Sequence, residues 1–489
     1  MCGERTSQPT LYRAALGTAC TTCLYESYNL LTQMLETTSR RQKHFATVDG
    51  GTVAALLDGH FDGLEAMDVV SAVREFPMYL RADLQRALDA RFGEIGVECI
   101  GFRTRYSHET VDYASLLNRD HYPVLVAPLQ YEDVHIGEHE PVRCVRQGLW
   151  LAEIGGLKCA LIAVPAQKHG LTTGWHVEIA VPVGPAGEKF VRDTFRKLEE
   201  AIQASASYRG KVLSLESERQ FSGMAAGNIV VHRLEPVARE EIILPTRTLE
   251  LLERNVFNFL AQRRRMLEMR MPIKKGLLFY GPPGTGKTHT IRYLAGALKE
   301  HTTLLVTAEQ CGIVAEYLAL ARLLSPAIVV IEDVDLIARE RESLQTPAQE
   351  SLLNRLLNEM DGLRETAEVL FILTTNHPES LEKALAGRPG RIDQALEFPL
   401  PDDEGRRRLV DLYRRELIVS ADLVANIVQR TEGVSAAFIK ELMRRSAQYA
   451  FERSADAAEA TMDDVDRALQ ELLFEGGKLN RALLGAKLD

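Results

Sequence analysis

The first half of the chain alternates between apolar patterns of helical period and of strand period. Apolar residues spaced by three or four positions predict helices, and short apolar runs predict buried strands. The predicted helices cover 76–92 and 189–206, and the predicted strands cover 122–129, 176–183 and 228–232. This alternation predicts a separate α/β domain over residues 1–236, and the pattern does not identify its family. The limit at 236 is set by turn-rich sequence before it and by a predicted helix at 248–260 after it.

Composition indicates a globular protein of two or three domains. The chain has 489 residues, with 46% hydrophobic and 26% charged residues. A formal net charge of −10 argues against nonspecific binding to nucleic acid, which requires a positive surface. Seven cysteines, an odd number in a long chain, favour reduced thiols over a disulfide framework. No run reaches the ~20 apolar residues of a membrane span, and no signal peptide is evident. A cytoplasmic protein without a membrane partner is expected.

A phosphate-binding loop follows the apolar run 276–280. Two glycines frame four residues and are followed by Lys and Thr, which is the P-loop pattern. Its residues are Gly281, Pro282, Pro283, Gly284, Thr285, Gly286, Lys287 and Thr288. Glycines let backbone N–H groups face phosphate oxygens, Lys287 adds positive charge, and Thr288 offers a hydroxyl to Mg²⁺. A helix begins directly afterwards, so its N-terminal end also faces the phosphates. The sequence therefore predicts an ATP site with Mg²⁺.

An acidic cluster follows the apolar strand 327–331. Glu332, Asp333 and Asp335 stand where the carboxyl ends of parallel strands bind ligands. One of these carboxylates is predicted to hold Mg²⁺, directly or through water, and a second to orient or polarise the attacking water. A solvated acidic turn is the alternative, and the upstream P-loop disfavours it.

These motifs and those that follow resemble the AAA family of ATPases. The shared features include Leu-Leu-Asn-Glu-Met-Asp-Gly-Leu at 356–363, a strand at 369–375 that ends in Asn376, and Gly-Arg-Pro-Gly-Arg-Ile-Asp at 387–393. The resemblance implies an α/β P-loop NTPase core with a parallel five-stranded sheet at 237–402. It also implies a helical lid at 403–489 and a working homo-oligomer, most often a hexameric ring.

The same resemblance implies roles for individual residues. Asn376 takes the place of the first sensor at the γ-phosphate. Arg388 and Arg391 match arginines that reach the ATP of the neighbouring subunit, where a guanidinium stabilises charge on the departing phosphoryl group. The stretch 431–437 matches the start of the lid's second-sensor helix, which carries small residues in this clade.

Two departures from the family pattern bear on function. The usual order at the acidic strand end is Asp then Glu, whereas this chain has Glu332 then Asp333. Position by position, the resemblance implies that Glu332 takes the metal-side place with Thr288 and Asp333 the water-activating place. Because Asp is one methylene shorter than Glu, slower hydrolysis is expected. The aromatic-apolar-glycine triplet with which unfoldase rings grip a chain is missing from 308–314. The nearest aromatic residue, Tyr317, lies in a helix-like run and is expected to be a packing residue. A charged loop at 339–345 is expected to be solvated.

Two functions of different class remain open. The first is a remodelling enzyme that disassembles or unfolds a protein substrate, or an adaptor-bound one, held by residues 1–236. The second is an interaction module in which ATP controls assembly without threading. The intact hydrolytic set favours the first, and the two departures favour the second.

Other motifs carry weaker signals. His-Ile-Gly-Glu-His at 135–139 fits an inverted zinc-protease pattern, but its glycine and the nearby proline favour a loop. No His-Glu-x-x-His occurs, so a metalloprotease is not supported. Cys20 and Cys23 lack a second ligand pair and are interpreted as core cysteines. The arginine triplets at 263–265 and 406–408 are interpreted as solvated helix faces.

Overall fold

The structure is a computed structural model, and it describes most of the chain from residue 51 onward. The described residues are 51–93, 96–104, 109–119, 123–168, 171–205, 207–220, 223–336, 358–360, 362, 367–379, 392–454 and 459–475.

A six-stranded antiparallel sheet forms the centre of the N-terminal part, in the order β1-β8-β7-β6-β2-β3. Its strands are β1 (Val69–Phe76), β2 (Cys99–Arg103), β3 (Leu125–Ala127), β6 (Gly148–Ile154), β7 (Leu157–Lys168) and β8 (Leu171–Pro182), and a separate hairpin joins β4 (Tyr131–Val134) to β5 (Val142–Val145). The long strands β7 and β8 are buried along their central residues, as expected for a sheet covered on both faces.

Helices cover both faces of this sheet. They are α1 (Val53–His60), α2 (Arg81–Gly93), α3 (Tyr113–Leu116) and α4 (Pro185–Ala204). Helix α4 begins with a proline at its first position and buries Phe195, Leu198 and Ile202, so the amphipathic helix predicted at 189–206 is confirmed. The helix predicted from Phe76 starts later, at Arg81, because Phe76 ends β1 and Pro77 follows it. The strand predicted at 122–129 covers only three described residues.

A second sheet holds five parallel strands in the order β12-β13-β14-β11-β15. They are β11 (Lys275–Tyr280), β12 (Thr302–Val306), β13 (Ala327–Ile331), β14 (Val369–Thr375) and β15 (Gln394–Glu397). The predicted parallel five-stranded sheet is thereby confirmed, and the bounds predicted for β13 and β14 match the observed ones. Both of these strands are buried along their whole length.

A hairpin from the N-terminal side extends this sheet to seven strands. It consists of β9 (Val212–Gln220) and β10 (Gly223–His232), and β9 pairs in parallel with β12. The sequence analysis placed the strand 228–232 before the limit at 236 and so outside the nucleotide-binding sheet. The ladder hydrogen bonds instead place the hairpin inside that sheet, because the apolar period of a strand does not say which sheet it joins. The domain limits themselves stay a prediction.

The helices of the second half surround the parallel sheet and form a small bundle. Near the sheet lie α5 (Thr246–Glu253), a π-helical turn (Arg254–Asn258), α6 (Phe259–Ala261), α7 (Arg263–Glu268), α8 (Lys287–Ala297), a 3₁₀ turn (Ala308–Ile313) and α9 (Val314–Leu323). The bundle contains α10 (Asp403–Tyr413), α11 (Ala421–Arg430), α12 (Ala436–Arg453) and α13 (Met462–Gln470), with its own apolar core. This bundle occupies the position predicted for the lid. Within the described residues, no helix has the length and apolar character to cross a bilayer.

Candidate nucleotide-binding site

The predicted P-loop lies between the end of β11 and the start of α8. Gly281 has φ 146°, and a Cβ there would lie 2.2 Å from the Phe398 carbonyl oxygen, so only glycine fits. Thr285 is buried, and its Oγ1 donates to the Pro282 carbonyl at 2.9 Å. The loop is therefore held by its own bonds and by the strand end beside it.

Lys287 is a buried cation in the middle of this loop. Its side chain is 7% exposed, and Nζ donates to the carbonyls of Gly281 at 2.8 Å and Pro282 at 2.9 Å. Burial lowers the pKa of its ammonium group to about 8, while the carboxylates of Asp333 and Asp335 act in the opposite direction. A bound phosphate would supply the nearby negative charge that a buried ammonium lacks. The donor set thus fits a polyphosphate.

Thr288 and Glu332 meet across the loop. The Thr288 hydroxyl donates to Glu332 Oε1 at 2.8 Å, which joins the first turn of α8 to the end of β13. A hydroxyl beside a carboxylate is an oxygen donor set that suits Mg²⁺. Among the described residues no cluster of three or more His, Cys, Asp or Glu side chains could hold a metal.

Asp333 is held in an uncommon backbone conformation beside Asn376. Its φ is 50°, in the left-handed region, which non-glycine residues adopt mostly where the surroundings enforce it. Asn376 Nδ2 donates to Asp333 Oδ1 at 3.1 Å, and the Asp333 amide donates to Thr374 Oγ1 at 3.0 Å. The structure therefore brings together Asp333 and Asn376, the two groups predicted at the γ-phosphate. The hydrogen bond from the Asn376 side chain orients the Asp333 carboxylate.

Asp335 orients the end of β14. It is 2% exposed and accepts hydrogen bonds from Thr375 Oγ1 at 2.8 Å and from the Asn376 amide at 3.2 Å. The sequence analysis did not single out the hydroxyls of Thr374 and Thr375. Their position at the end of the strand, immediately before Asn376, could have predicted this role. Threonine hydroxyls at a strand end can form hydrogen bonds with the acidic turn that follows the neighbouring strand.

The helical bundle touches the P-loop directly. The amide of Ala437, in the first turn of α12, donates to the Gly284 carbonyl at 3.1 Å. A Cβ at Gly284 would lie 2.8 Å from Ser435 Oγ and 2.9 Å from the Ala437 Cβ. The small residues noted at 431–437 in the sequence are thus the ones that allow this close approach.

The segment after β12 is packed inside the protein. Tyr317 is fully buried in α9, which confirms it as a packing residue. Its hydroxyl donates to Gln310 Oε1 at 3.0 Å and accepts from the Leu215 amide of β9 at 2.8 Å, while Gln310 Nε2 donates to the Leu215 carbonyl at 2.8 Å. These hydrogen bonds connect the segment 308–323 to strand β9 of the hairpin.

The weaker motifs have separate outcomes. Residues 135–139 form no helix, which agrees with a loop in place of a zinc site. Arg406, in the second arginine triplet, is 4% exposed and bonds to Pro401 and Val428 carbonyls, so the solvated-face interpretation is wrong for it. Arg388 and Arg391 lie outside the described residues, as do the motif start at 356–357, the loop 339–345, and Cys20 and Cys23.

Comparisons with known proteins agree with this geometry. The family described as "ATPase family associated with various cellular activities (AAA)" matches residues 277–400. The chain is 32% identical to the ATP-dependent zinc metalloprotease FtsH 3 of Synechocystis sp. over 48% of this chain and 39% of that protein. It is 34% identical to the proteasome-activating nucleotidase of Methanopyrus kandleri over 42% of this chain and 51% of that protein. The matched region thus spans less than two thirds of either relative.

Residues 277–400, which match the family, include the P-loop, the acidic strand end and most of the parallel sheet. The order of the five parallel strands, the loop that cradles phosphate and the family match all lead to the same assignment. Residues 277–400 form a domain of the AAA family of ATPases, and this domain has the P-loop NTPase α/β fold.

Proposed function

We propose that this protein hydrolyses ATP with Mg²⁺ and uses the released free energy to remodel a protein partner. The observation that carries the first part is the convergence of Lys287, Thr288 and the Glu332–Asp333 pair at one edge of the parallel sheet, with Asn376 beside them. The family assignment supports ATP as the nucleotide.

Each of these side chains has a separate role in the proposed phosphoryl transfer. Lys287 neutralises charge on the β- and γ-phosphates, and the Thr288 hydroxyl and Glu332 carboxylate would hold the metal. Mg²⁺ bound there supplies positive charge that stabilises the departing γ-phosphoryl group. Asp333 accepts the hydrogen bond of the attacking water and aligns it, and Asn376 holds that carboxylate in place.

The site is completed by a second subunit in this proposal. Arg388 and Arg391, assigned from the family resemblance, would reach the neighbour's ATP in a homo-oligomeric, hexameric ring. Because α12 contacts Gly284 in the loop, a change in the bound nucleotide would move the lid relative to the sheet. Relative motion of core and lid would be the mechanical output.

Residues 1–236 are the proposed site for a protein substrate or adaptor. The similarity to ATP-dependent proteases and to proteasome-activating nucleotidases supports work on protein partners. A cytoplasmic location is part of this proposal, and the odd number of cysteines in the chain supports it because it fits reduced thiols. Its acidic charge argues against nucleic acid as the partner.

An ATP-controlled interaction module is the second candidate. Tyr317 favours it, because the aromatic residue nearest the position of a gripping loop is buried and bonded to Leu215. A ring without an exposed aromatic in that segment would dock partners and respond to nucleotide, and would not pull a chain through its centre.

Stimulation of hydrolysis by an unfolded protein separates the two candidates. The probe is reduced, carboxymethylated α-lactalbumin, with native α-lactalbumin as the matched control, and Asp333→Asn subtracts any contaminating ATPase. Remodelling predicts that the unfolded probe raises steady-state phosphate release by a factor of about five. Hydrolysis that neither probe changes supports the interaction module, and a chain that releases no phosphate contradicts both the ATPase and the remodelling proposals.

A further inference from the structure

The first strand of the N-terminal sheet has an open edge. β1 pairs with β8 on one side only and stands at the end of the strand order. Alternate residues of an edge strand direct their backbone N–H and C=O groups outward. Within the described residues, β1 makes no backbone hydrogen bond outside its own ladder. No described residue outside the ladder bonds to this outward row of backbone donors and acceptors.

The opposite edge of the same sheet is treated differently. There β3 is covered by the chain entering α1, because Val126 donates to the Gly51 carbonyl and Val53 donates to the Val124 carbonyl, both at 2.9 Å. An isolated bridge joins Thr52 to Leu125. One edge is thus closed by the chain itself, while the eight-residue β1 is left uncovered by any described residue.

β1 also lacks most of the sequence and backbone features that prevent an edge strand from pairing with another strand. Its register with β8 runs unbroken from Val69 to Phe76, whereas the β7–β8 and β9–β10 pairs both contain an irregularity. It contains no proline and no lysine. Val70 is 41% exposed and Val73 is 50% exposed, so apolar side chains are presented on both faces of the edge.

A cavity lies beside the start of β1. It has a volume of about 450 Å³ and lies next to Val69, which shares a sheet face with Val73. Its apolar lining consists of Leu57, Phe61, Leu64, Val69, Tyr113 and Leu117. The Asp58–Arg119 ion pair stands among the lining residues. This volume is within the range of small-ligand pockets and suits an apolar side chain projecting from an added strand.

The charges around the edge specify what kind of strand would bind. Arg74 is neutralised by Glu199 at 2.6 Å, whereas Glu65, Asp68 and Glu75 are exposed and have no ion-pair partner in the described part of the chain. The edge is therefore acidic. A second copy of this chain would bring the same acidic groups together, which disfavours self-pairing. A partner with lysine or arginine beside its apolar residues would be complementary.

We infer that β1 is a docking edge that captures an extended, basic-flanked apolar segment of a partner polypeptide by strand addition. Backbone hydrogen bonds supply affinity for extended chain of any sequence, and the cavity and acidic residues add selectivity. This inference rests on the proposed function, because it identifies how residues 1–236 would hold a protein partner.

Binding of a synthetic peptide to the full chain tests this inference. The probe is a fluorescein-labelled peptide of alternating valine and threonine with lysines at both ends, followed by fluorescence anisotropy. The control peptide has the same side chains but alternate N-methylated amides, which cannot donate ladder hydrogen bonds. Saturable binding of the first peptide and a loss of at least about tenfold in affinity for the second are expected. Equal binding of both peptides, or no saturable binding, overturns the inference.

Protein variants locate the contact. The double variant Val70→Lys, Val73→Lys places like charges on the edge and is expected to weaken binding of the lysine-flanked peptide at least about tenfold. Leu125→Lys, at the closed edge and 48% exposed in the wild type, is the matched control and should change affinity less than about twofold. Equal effects of the two changes would overturn the assignment to β1.

Hydrogen exchange on the wild type tests strand addition at β1 without any amino-acid substitution. Saturating peptide should slow amide exchange within 69–76, and unchanged exchange there contradicts strand addition. Sedimentation of the wild type beside the double variant tests for a second copy, because self-pairing that the variant abolishes would overturn the partner assignment.

ATP hydrolysis is measured separately. Peptide binding without hydrolysis contradicts the proposed function alone, and hydrolysis without peptide binding contradicts the docking edge alone.

Discussion

The two sheets of the molecule place their polar side chains differently. In the parallel sheet, the carboxyl ends of β11, β13 and β14 lie at one edge, so Lys287, Asp333 and Asn376 converge although they are distant in sequence. In the antiparallel sheet, neighbouring strands run in opposite directions and no edge collects their ends. The buried carboxylate of Glu178 there lies 3.3 Å from His176 and accepts from the Tyr113 amide at 2.7 Å, at the middle of a strand and not at a shared strand end.

This difference separates a reaction site from a recognition surface. A reaction site needs several groups fixed within hydrogen-bond distance of one another, and parallel topology supplies that arrangement. A recognition surface needs backbone groups and apolar area open to a partner, and the edge strand β1 supplies those. The four predictions below test whether the nucleotide site behaves as such a cluster and how it is joined to the N-terminal part.

The largest effect is expected from removing the buried cation. Lys287→Met should lower ATP hydrolysis at least about 100-fold and weaken ATP binding, because the phosphates lose their principal positive partner. Phosphate release and binding of a fluorescent ATP analogue are the measurements. Lys299→Met, at an exposed lysine, is the matched control and should behave as wild type. Hydrolysis that survives in Lys287→Met would show that the cluster is not the reaction site.

The next effect separates chemistry from binding. Asp333→Asn keeps the shape of the side chain but removes the charge that aligns the attacking water, so turnover should fall about 100-fold. ATP affinity should change by less than about threefold, because Lys287 and the loop are intact. Single-turnover hydrolysis and equilibrium binding measure the two quantities. A loss of affinity as large as the loss of turnover would contradict the assigned role.

A smaller effect, on the free energy of unfolding, is expected at the contact between α9 and the hairpin β9–β10. Tyr317→Phe removes the hydroxyl that accepts from the Leu215 amide and leaves that buried donor unpaired, which should lower the free energy of unfolding by about 1–3 kcal/mol. Calorimetric unfolding is the measurement. Tyr131→Phe, where the ring is 52% exposed, is the control. An unchanged unfolding free energy in Tyr317→Phe would mean that this bond does not fasten the hairpin.

The smallest effect is a pH dependence of ATP binding. Burial lowers the pKa of Lys287 to about 8, so its ammonium group is charged at pH 7 and loses its proton as the pH rises through 8. Bound phosphate favours the charged form, so binding above pH 8 requires proton uptake and the Kd should rise by up to about tenfold per pH unit. Calorimetric titration in two buffers of different ionisation enthalpy measures that uptake. A Kd that is flat between pH 7 and 9 would contradict a functional shift at Lys287.

The sequence predicts the nucleotide site far better than the N-terminal part. β11 is a largely apolar run followed by the glycine loop that carries Lys287, and β13 is a wholly apolar run followed by a polar cluster. The bounds of these strands and the residues that follow them can therefore be predicted together. The roles of Thr374 and Asp335 need coordinates, because bonds between neighbouring strand ends depend on register.

The hairpin 212–232 shows why the remainder could not be predicted. Its apolar residues indicate strands, but local periodicity carries no information about which sheet they join or which edge they cover. The open edge of β1 is invisible in sequence for the same reason. Whether an edge is covered is decided by long-range pairing, such as that of Thr52 with Leu125 at the other end of the sheet.

Steady-state ATP hydrolysis per subunit, measured across a wide dilution of wild type beside Arg391→Ala, tests the central proposal most directly. A site shared between subunits predicts that specific activity falls on dilution and that Arg391→Ala loses most of it at every concentration, because the guanidinium acts on the neighbour's ATP. Specific activity that is independent of dilution and of Arg391 would contradict a shared site. ATP binding without hydrolysis at any concentration would contradict the proposed chemistry of the Glu332–Asp333 pair.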